Sequence, residues 1–224
     1  MIQSFKITML LTWPSPFLFW TEVKNHEEIK KELLPKIKEQ SNNPKYYNKP
    51  LQVRKPGDSR WDCEVVTTFF DRDDDEVKNL FTKEIMKEII SSPMKELFSD
   101  PNCPVPVKPT KTHITEIWYN HYESEYFQEI HAHHGATFSG IYLLELNEPN
   151  TTAFYSNMGG FQYSRLPGTG ALEPENRHKL MGVYTTEHIK EGNVLLFPSE
   201  FSHSVRKSTT SRTTVSFNLL CEFN

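Results

Sequence analysis

Beyond Pro109 the chain breaks into eight short strand-like runs separated by turns: Thr112–Tyr122, Tyr126–His131, Phe138–Leu146, Thr151–Tyr155, Val183–Glu187, Asn193–Phe197, His203–Ser208 and Arg212–Glu222. Runs of this length and density fit a mainly β fold, a double-stranded β-helix or jelly roll, better than alternating βαβ units. The segment 156–182, with Gly159, Gly160, Pro167, Gly168, Gly170 and Pro174, reads as an excursion between strands, and such loops often cover sites.

The first 110 residues have another texture. From Asn25 to about Gln40, Val23, Ile29, Leu33 and Ile37 recur near helical spacing, Asn25 with Glu28 resembles a capping box, and Pro35 predicts a kink. Residues 41–60 read as a loop and Trp61–Phe70 as a strand. A second helix opens at Asp73 and Glu76, with Val77, Leu80, Phe81, Ile85, Ile89 and Ile90 as its apolar face. Pro93 and the proline-rich stretch 101–109 are expected to end it. Residues 1–110 are thus a support region whose helices cover one sheet, and 111–224 a β core, the two forming one integrated domain.

Several function classes lose weight on composition. A net charge of −4 and a pI near 6.1 supply no general attraction for nucleic acid. Three cysteines (Cys63, Cys103, Cys221), odd in number and without a C-x-x-C pair, argue against a disulfide scaffold or a cysteine-rich zinc site. The apolar stretch Met9–Trp20 is interrupted by Pro14 and Pro16 and is too short to span a bilayer, which reads as a soluble, cytoplasmic protein.

The chemistry concentrates in two places. On a strand, His131 and His133 point to one side and can share a ligand. A helix would instead pair His131 with His134, but Gly135 and the run Phe138–Leu144 favour a strand that ends and restarts. Glu129 shares their face and is the nearest carboxylate, although a solvated strand end accounts for it. His203, at the start of a distant strand, would complete a facial set of three ligands with open positions on a metal. Nine residues later stands Arg212, on one face with Thr214, Ser216 and Asn218, while Thr213, Val215, Phe217 and Leu219 occupy the other. Solvent explains a polar face in the simplest case. A polar pocket explains it too, and an arginine there requires a partner, best a bidentate carboxylate.

His131-x-His133, Ser139-Gly140-Ile141-Tyr142-Leu143, Phe197-Pro198 with His203, and Arg212 with Ser216-Phe217-Asn218 together resemble the 2-oxoglutarate/Fe(II)-dependent dioxygenases. The similarity runs over roughly residues 112–223 and is nearest to a branch with an H-x-H…H…R motif. The resemblance implies a jelly roll with Fe(II) on His131, His133 and His203, and 2-oxoglutarate as cosubstrate anchored by Arg212. It also implies support from Thr214, Asn218 and Tyr122 and a hydroxylase that uses O2. His133 stands where most of that superfamily has a carboxylate, so three neutral imidazoles would leave the metal its full double positive charge.

Two other classes fit parts of the pattern. A non-catalytic cupin-like binding protein matches Gly192-x5-Pro198-x4-His203, yet Ala136 and Thr137 stand where a cupin places its glutamate, and Arg212 has no role. A three-histidine zinc hydrolase would need an acid/base group that the sequence does not single out. The stretch Lys45, Tyr46, Tyr47, Lys49, Arg54, Lys55, Arg60, Trp61 suits a peptide or polyanion, or simply a solvated loop. Among substrates, a peptide or protein is favoured over nucleic acid or a small metabolite.

Overall fold

The computed structural model describes residues 17–50, 62–155 and 183–223. The expected excursion at 156–182, most of the apolar N-terminal stretch, and Arg54, Lys55, Arg60 and Trp61 of the basic stretch lie outside these residues. Eleven strands form one curled antiparallel sheet, in the order β1 (Phe19–Glu22), β9 (Asn193–Pro198), β6 (Phe138–Leu146), β11 (Arg212–Glu222), β4 (Lys111–Tyr122), β3 (Cys63–Thr67), β5 (Phe127–His131), β10 (Ser202–Val205), β7 (Thr152–Tyr155), β8 (Val183–Thr185). The short β2 (Tyr47–Asn48) pairs with β3. This is the mainly β jelly roll expected from the strand spacing. The eight C-terminal runs all appear, six of them with one or both ends moved, and the run at 203–208 shortened to end at Val205.

The curl produces two faces with different fates. Val215, Phe217 and Leu219 of β11, with Tyr119, Tyr142, Leu144 and Leu196, turn outward and are buried under the helices. Helix α1 (His26–Ser41) supplies Ile29, Leu33 and Ile37, spaced one turn apart and all buried. Its expected capping box does not form. Asn25 has φ −102° and ψ 33°, away from the extended conformation an N-cap uses, and makes no side-chain cap bond. The helix continues through Pro35 to Ser41.

The second helical stretch is not one helix. It divides into α2 (Asp75–Lys78), α3 (Lys83–Met86), a π-turn (Lys87–Ser91) and α4 (Ser92–Leu97). Thr82 restarts it by accepting from the Ile85 amide at 3.3 Å. Pro93 does not end the helix as expected. Lacking an N–H and crowding the carbonyl four residues back, it is accommodated by the widened π-turn before it. The apolar side chains read for this face are all buried nonetheless. Gly140 on β6 lets the sheet close on this core, because a Cβ there would lie 2.1 Å from Cζ of Phe217. Among the described residues no helix is long and apolar enough to cross a membrane.

Candidate metal centre and anion pocket

The inner face encloses a cavity of about 370 Å³. Arg212, Thr214, Ser216 and Asn218 of β11 line it, as do Glu116, Trp118, Asn120 and Tyr122 of β4. The polar face of the last strand therefore faces a pocket rather than bulk water.

His131 ends β5 and lies directly across from His203 on β10. His133 follows in extended chain, held where its amide donates to the Ser199 carbonyl at 2.8 Å. Gly135, at φ +88°, then turns the chain into β6, a conformation costly for any side-chain-bearing residue. The three rings converge, with centroids 4.3 Å (His131–His203), 5.0 Å (His133–His203) and 5.3 Å (His131–His133) apart. One ligand atom from each lies within 4.8 Å of the others. His134 faces solvent and pairs with Glu200 at 2.8 Å. Glu129 accepts from the Asp62 amide at 2.7 Å and is not part of the cluster.

Each ring is oriented by an oxygen acceptor on Nδ1: the Glu129 carbonyl for His131 (2.8 Å), Asn218 Oδ1 for His133 (2.7 Å) and the Phe201 carbonyl for His203 (3.0 Å). With Nδ1–H donating, the lone pair sits on Nε2 in all three, the tautomer and outer contact typical of metal-binding imidazoles. Burial, and then the charge of His133, pushes His131 down to about 4. Burial lowers His133 and His203 as well. Three neutral imidazoles with one tautomer fit a borderline divalent cation such as Fe(II).

Arg212 is buried and lies over the Tyr122 ring, its guanidinium carbon 4.5 Å from the centroid. One terminal nitrogen donates to Asn150 Oδ1 (3.2 Å) and Thr151 Oγ1 (2.7 Å), while Nε has no partner among the described residues. No carboxylate forms an ion pair with it among the described residues. Burial lowers its pKa, and the Tyr122 phenol oxygen, then the Glu148 carboxylate, oppose that shift. A buried guanidinium facing a cavity with an unmatched donor fits a carboxylate. Tyr122 gives its hydroxyl to Gln128 at 2.7 Å, and Thr214 borders the same space.

Residues 116–218 match a family described as "Putative 2OG-Fe(II) oxygenase". Over those residues, a little under half of the chain, the sequence is similar to that family. Fe(II) and 2-oxoglutarate are its cofactor and cosubstrate, and an oxygenase of this family is an oxidoreductase. The jelly roll is shared with AviO1 from Streptomyces viridochromogenes Tue57 (10% identity, 92% of this chain and 90% of that one, TM-score 0.57). It is shared also with a prolyl hydroxylase from Trichoplax adhaerens in complex with a hypoxia inducible factor oxygen degradation domain peptide fragment (13% identity, 91% and 83%, TM-score 0.52). No curated protein matches this chain in sequence.

Asn218 shares Arg212's face, as the alternation predicts, but six residues along a strand is about 20 Å. It contacts His133 and Ser139 rather than the arginine. Sequence reasoning stopped at Tyr122 on β4. The same alternation would have added Asn120, Trp118 and Glu116, all lining the same cavity. Asn150 and Thr151 had no such signal, since they come from a turn that only the fold brings to Arg212.

Proposed function

We propose that the chain is a hydroxylase in which His131, His133 and His203 hold Fe(II) and Arg212 takes the distal carboxylate of 2-oxoglutarate. The observation that carries this reading is Arg212: a buried cation without an ion-pair partner among the described residues, bordering the same cavity as three convergent histidines. When bound, Fe(II) with 2-oxoglutarate and O2 supplies the oxidising power, coupling loss of CO2 and formation of succinate to oxygen insertion into a substrate C–H bond.

The chain's own residues orient and shield. Arg212, steadied by Tyr122, Asn150 and Thr151, fixes one end of the cosubstrate in a site where a misplaced carboxylate would lose productive geometry. Thr214 supplies a hydroxyl on the same strand face. Ile141 and Val205 line the cavity with apolar surface, and Phe154 and Phe197 pack against the His203 ring at 5.6 and 5.0 Å, which restricts water and holds that imidazole in place. Three neutral imidazoles, with no carboxylate among them, would leave a bound divalent cation its full charge and so would strengthen the attraction of the site for an anionic cosubstrate.

A peptide or protein segment is the proposed substrate. The cavity lining is partly aromatic, with Phe69 and the buried Trp118 in edge-to-face contact at 5.0 Å and Phe70 exposed. The fold is one in which the Trichoplax adhaerens enzyme was captured with a peptide fragment. In this reading residues 111–224 are the catalytic core and residues 1–110 its support.

Anaerobic titration of the protein with Fe(II) and then 2-oxoglutarate should develop a weak visible charge-transfer band, and air should release succinate. Absence of both overturns the proposal, and tight zinc retention with no response to 2-oxoglutarate would favour a hydrolase.

A further inference from the structure

Three adjacent strands meet at one level of the inner face. Asn218 on β11 lies opposite Ser139 on β6 and opposite Glu116 on β4. Its side-chain amide uses both ends. Oδ1 accepts from His133 Nδ1–H at 2.7 Å and from Ser139 Oγ at 2.7 Å, and Nδ2 donates to Glu116 Oε2 at 2.5 Å. Reversing the amide would set N–H against His133 Nδ1–H and the oxygen against a carboxylate, so His133 and Glu116 select one orientation and the Ser139 hydroxyl adapts to it. The other oxygen of Glu116 is 2.6 Å from an Arg72 terminal nitrogen. Arg72 is itself held by the Phe69 carbonyl at 2.6 Å and lies over the Phe69 ring at 4.8 Å.

We infer that Glu116, acting through Asn218 on His133, is a positioning residue that supplies to the metal centre, at one remove, the negative charge its ligand set lacks. This rests on the proposed three-histidine metal site. His131 and His203 each donate from Nδ1 to a neutral backbone carbonyl, whereas the acceptor of His133 is an amide that is itself tied to a carboxylate. A carboxylate behind an amide polarises Oδ1, and that makes His133 Nε2 a stronger donor to a cation while fixing its tautomer. Arg72 offsets part of that charge from the far side. The two residues therefore act on the centre with opposite sign, and a purely structural clasp would not.

The opposite signs make the test. Co(II) is titrated anaerobically into the intact protein and into Glu116→Gln and Arg72→Gln, following the visible Co(II) absorption, with unfolding of each metal-free protein measured in parallel. Glu116→Gln keeps size and an acceptor for Asn218 but removes the charge. It is expected to weaken Co(II) about tenfold, the lower end for outer contacts of metal ligands, and to shift the Co(II) bands, with the metal-free unfolding midpoint little changed. Arg72→Gln is expected to bind Co(II) as tightly as the parent or more so. If Glu116→Gln stays within about threefold of the parent, or Arg72→Gln weakens Co(II) by threefold or more, the inference is overturned while the metal site stands. If the parent itself binds no Co(II), the metal reading fails and this inference with it.

Discussion

The two faces of β11 share a backbone and little else. Outward, Val215, Phe217 and Leu219 are sealed beneath α1, α3 and α4 in the largest apolar core. Inward, Arg212, Thr214, Ser216 and Asn218 are also buried, yet they border a cavity: Arg212 bonds Asn150 and Thr151, Ser216 accepts from Asn120, and Asn218 bonds His133, Ser139 and Glu116. Burial alone therefore does not separate the scaffold from the site. The difference lies in whether buried groups are matched: the outer face is dispersion and area, while the inner face ends in a guanidinium with an open donor. Substitutions on one face should act on folding and on the other on binding.

The largest effect is expected outside. Phe217→Ala should cost about 3–5 kcal/mol of unfolding free energy by denaturant titration, the range for a buried aromatic truncated to alanine. A loss below about 1 kcal/mol would mean that the outer core is not what holds β11. Inside, Arg212→Met should remove about 2–5 kcal/mol of 2-oxoglutarate affinity by calorimetry, as for loss of one partner of a buried charge pair. Co(II) binding without 2-oxoglutarate should stay near the parent's, and retained 2-oxoglutarate affinity would displace Arg212 as the anchor. Gly140→Ala tests where the faces meet. Its Cβ pushes on the Phe217 ring, so about 1–3 kcal/mol of stability should be lost. A neutral result would show that the ring has room to move. The smallest effect is expected at His134→Ala, on the exposed side of the turn, with stability within about 0.5 kcal/mol and Co(II) affinity unchanged. Weakened Co(II) binding there would redraw the ligand set.

Much of the strand pattern was legible because its signal is local. Period-2 alternation and turn residues located Phe138–Leu146 and Arg212–Glu222 to the residue. The helical half was less legible. Val77 to Ile90 carries an apolar pattern that reads as one helix, while the break before Thr82 and the π-turn before Pro93 depend on how those side chains settle on the sheet. At the site, alternation paired His131 with His133, and the same rule placed Asn218 beside Arg212 in direction but not in distance. Glu116 went unread although it shares the parity of Tyr122 on β4; alternation could place it on the inner face, but nothing local marked its contact with Asn218.

By itself the sequence determined a mainly β chain, the segregation of polar and apolar residues along the last strand, and the few side chains able to bind a metal and an anion. These follow from short-range rules of side-chain direction and chemical type. Only the tertiary structure decided what the polar face looks at, which nitrogen each imidazole presents, that Asn150 and Thr151 reach Arg212, and that Glu116 reaches Asn218. Those outcomes depend on register between strands up to about a hundred residues apart in sequence, and hydrogen bonding is too directional for spacing along one strand to stand in for it.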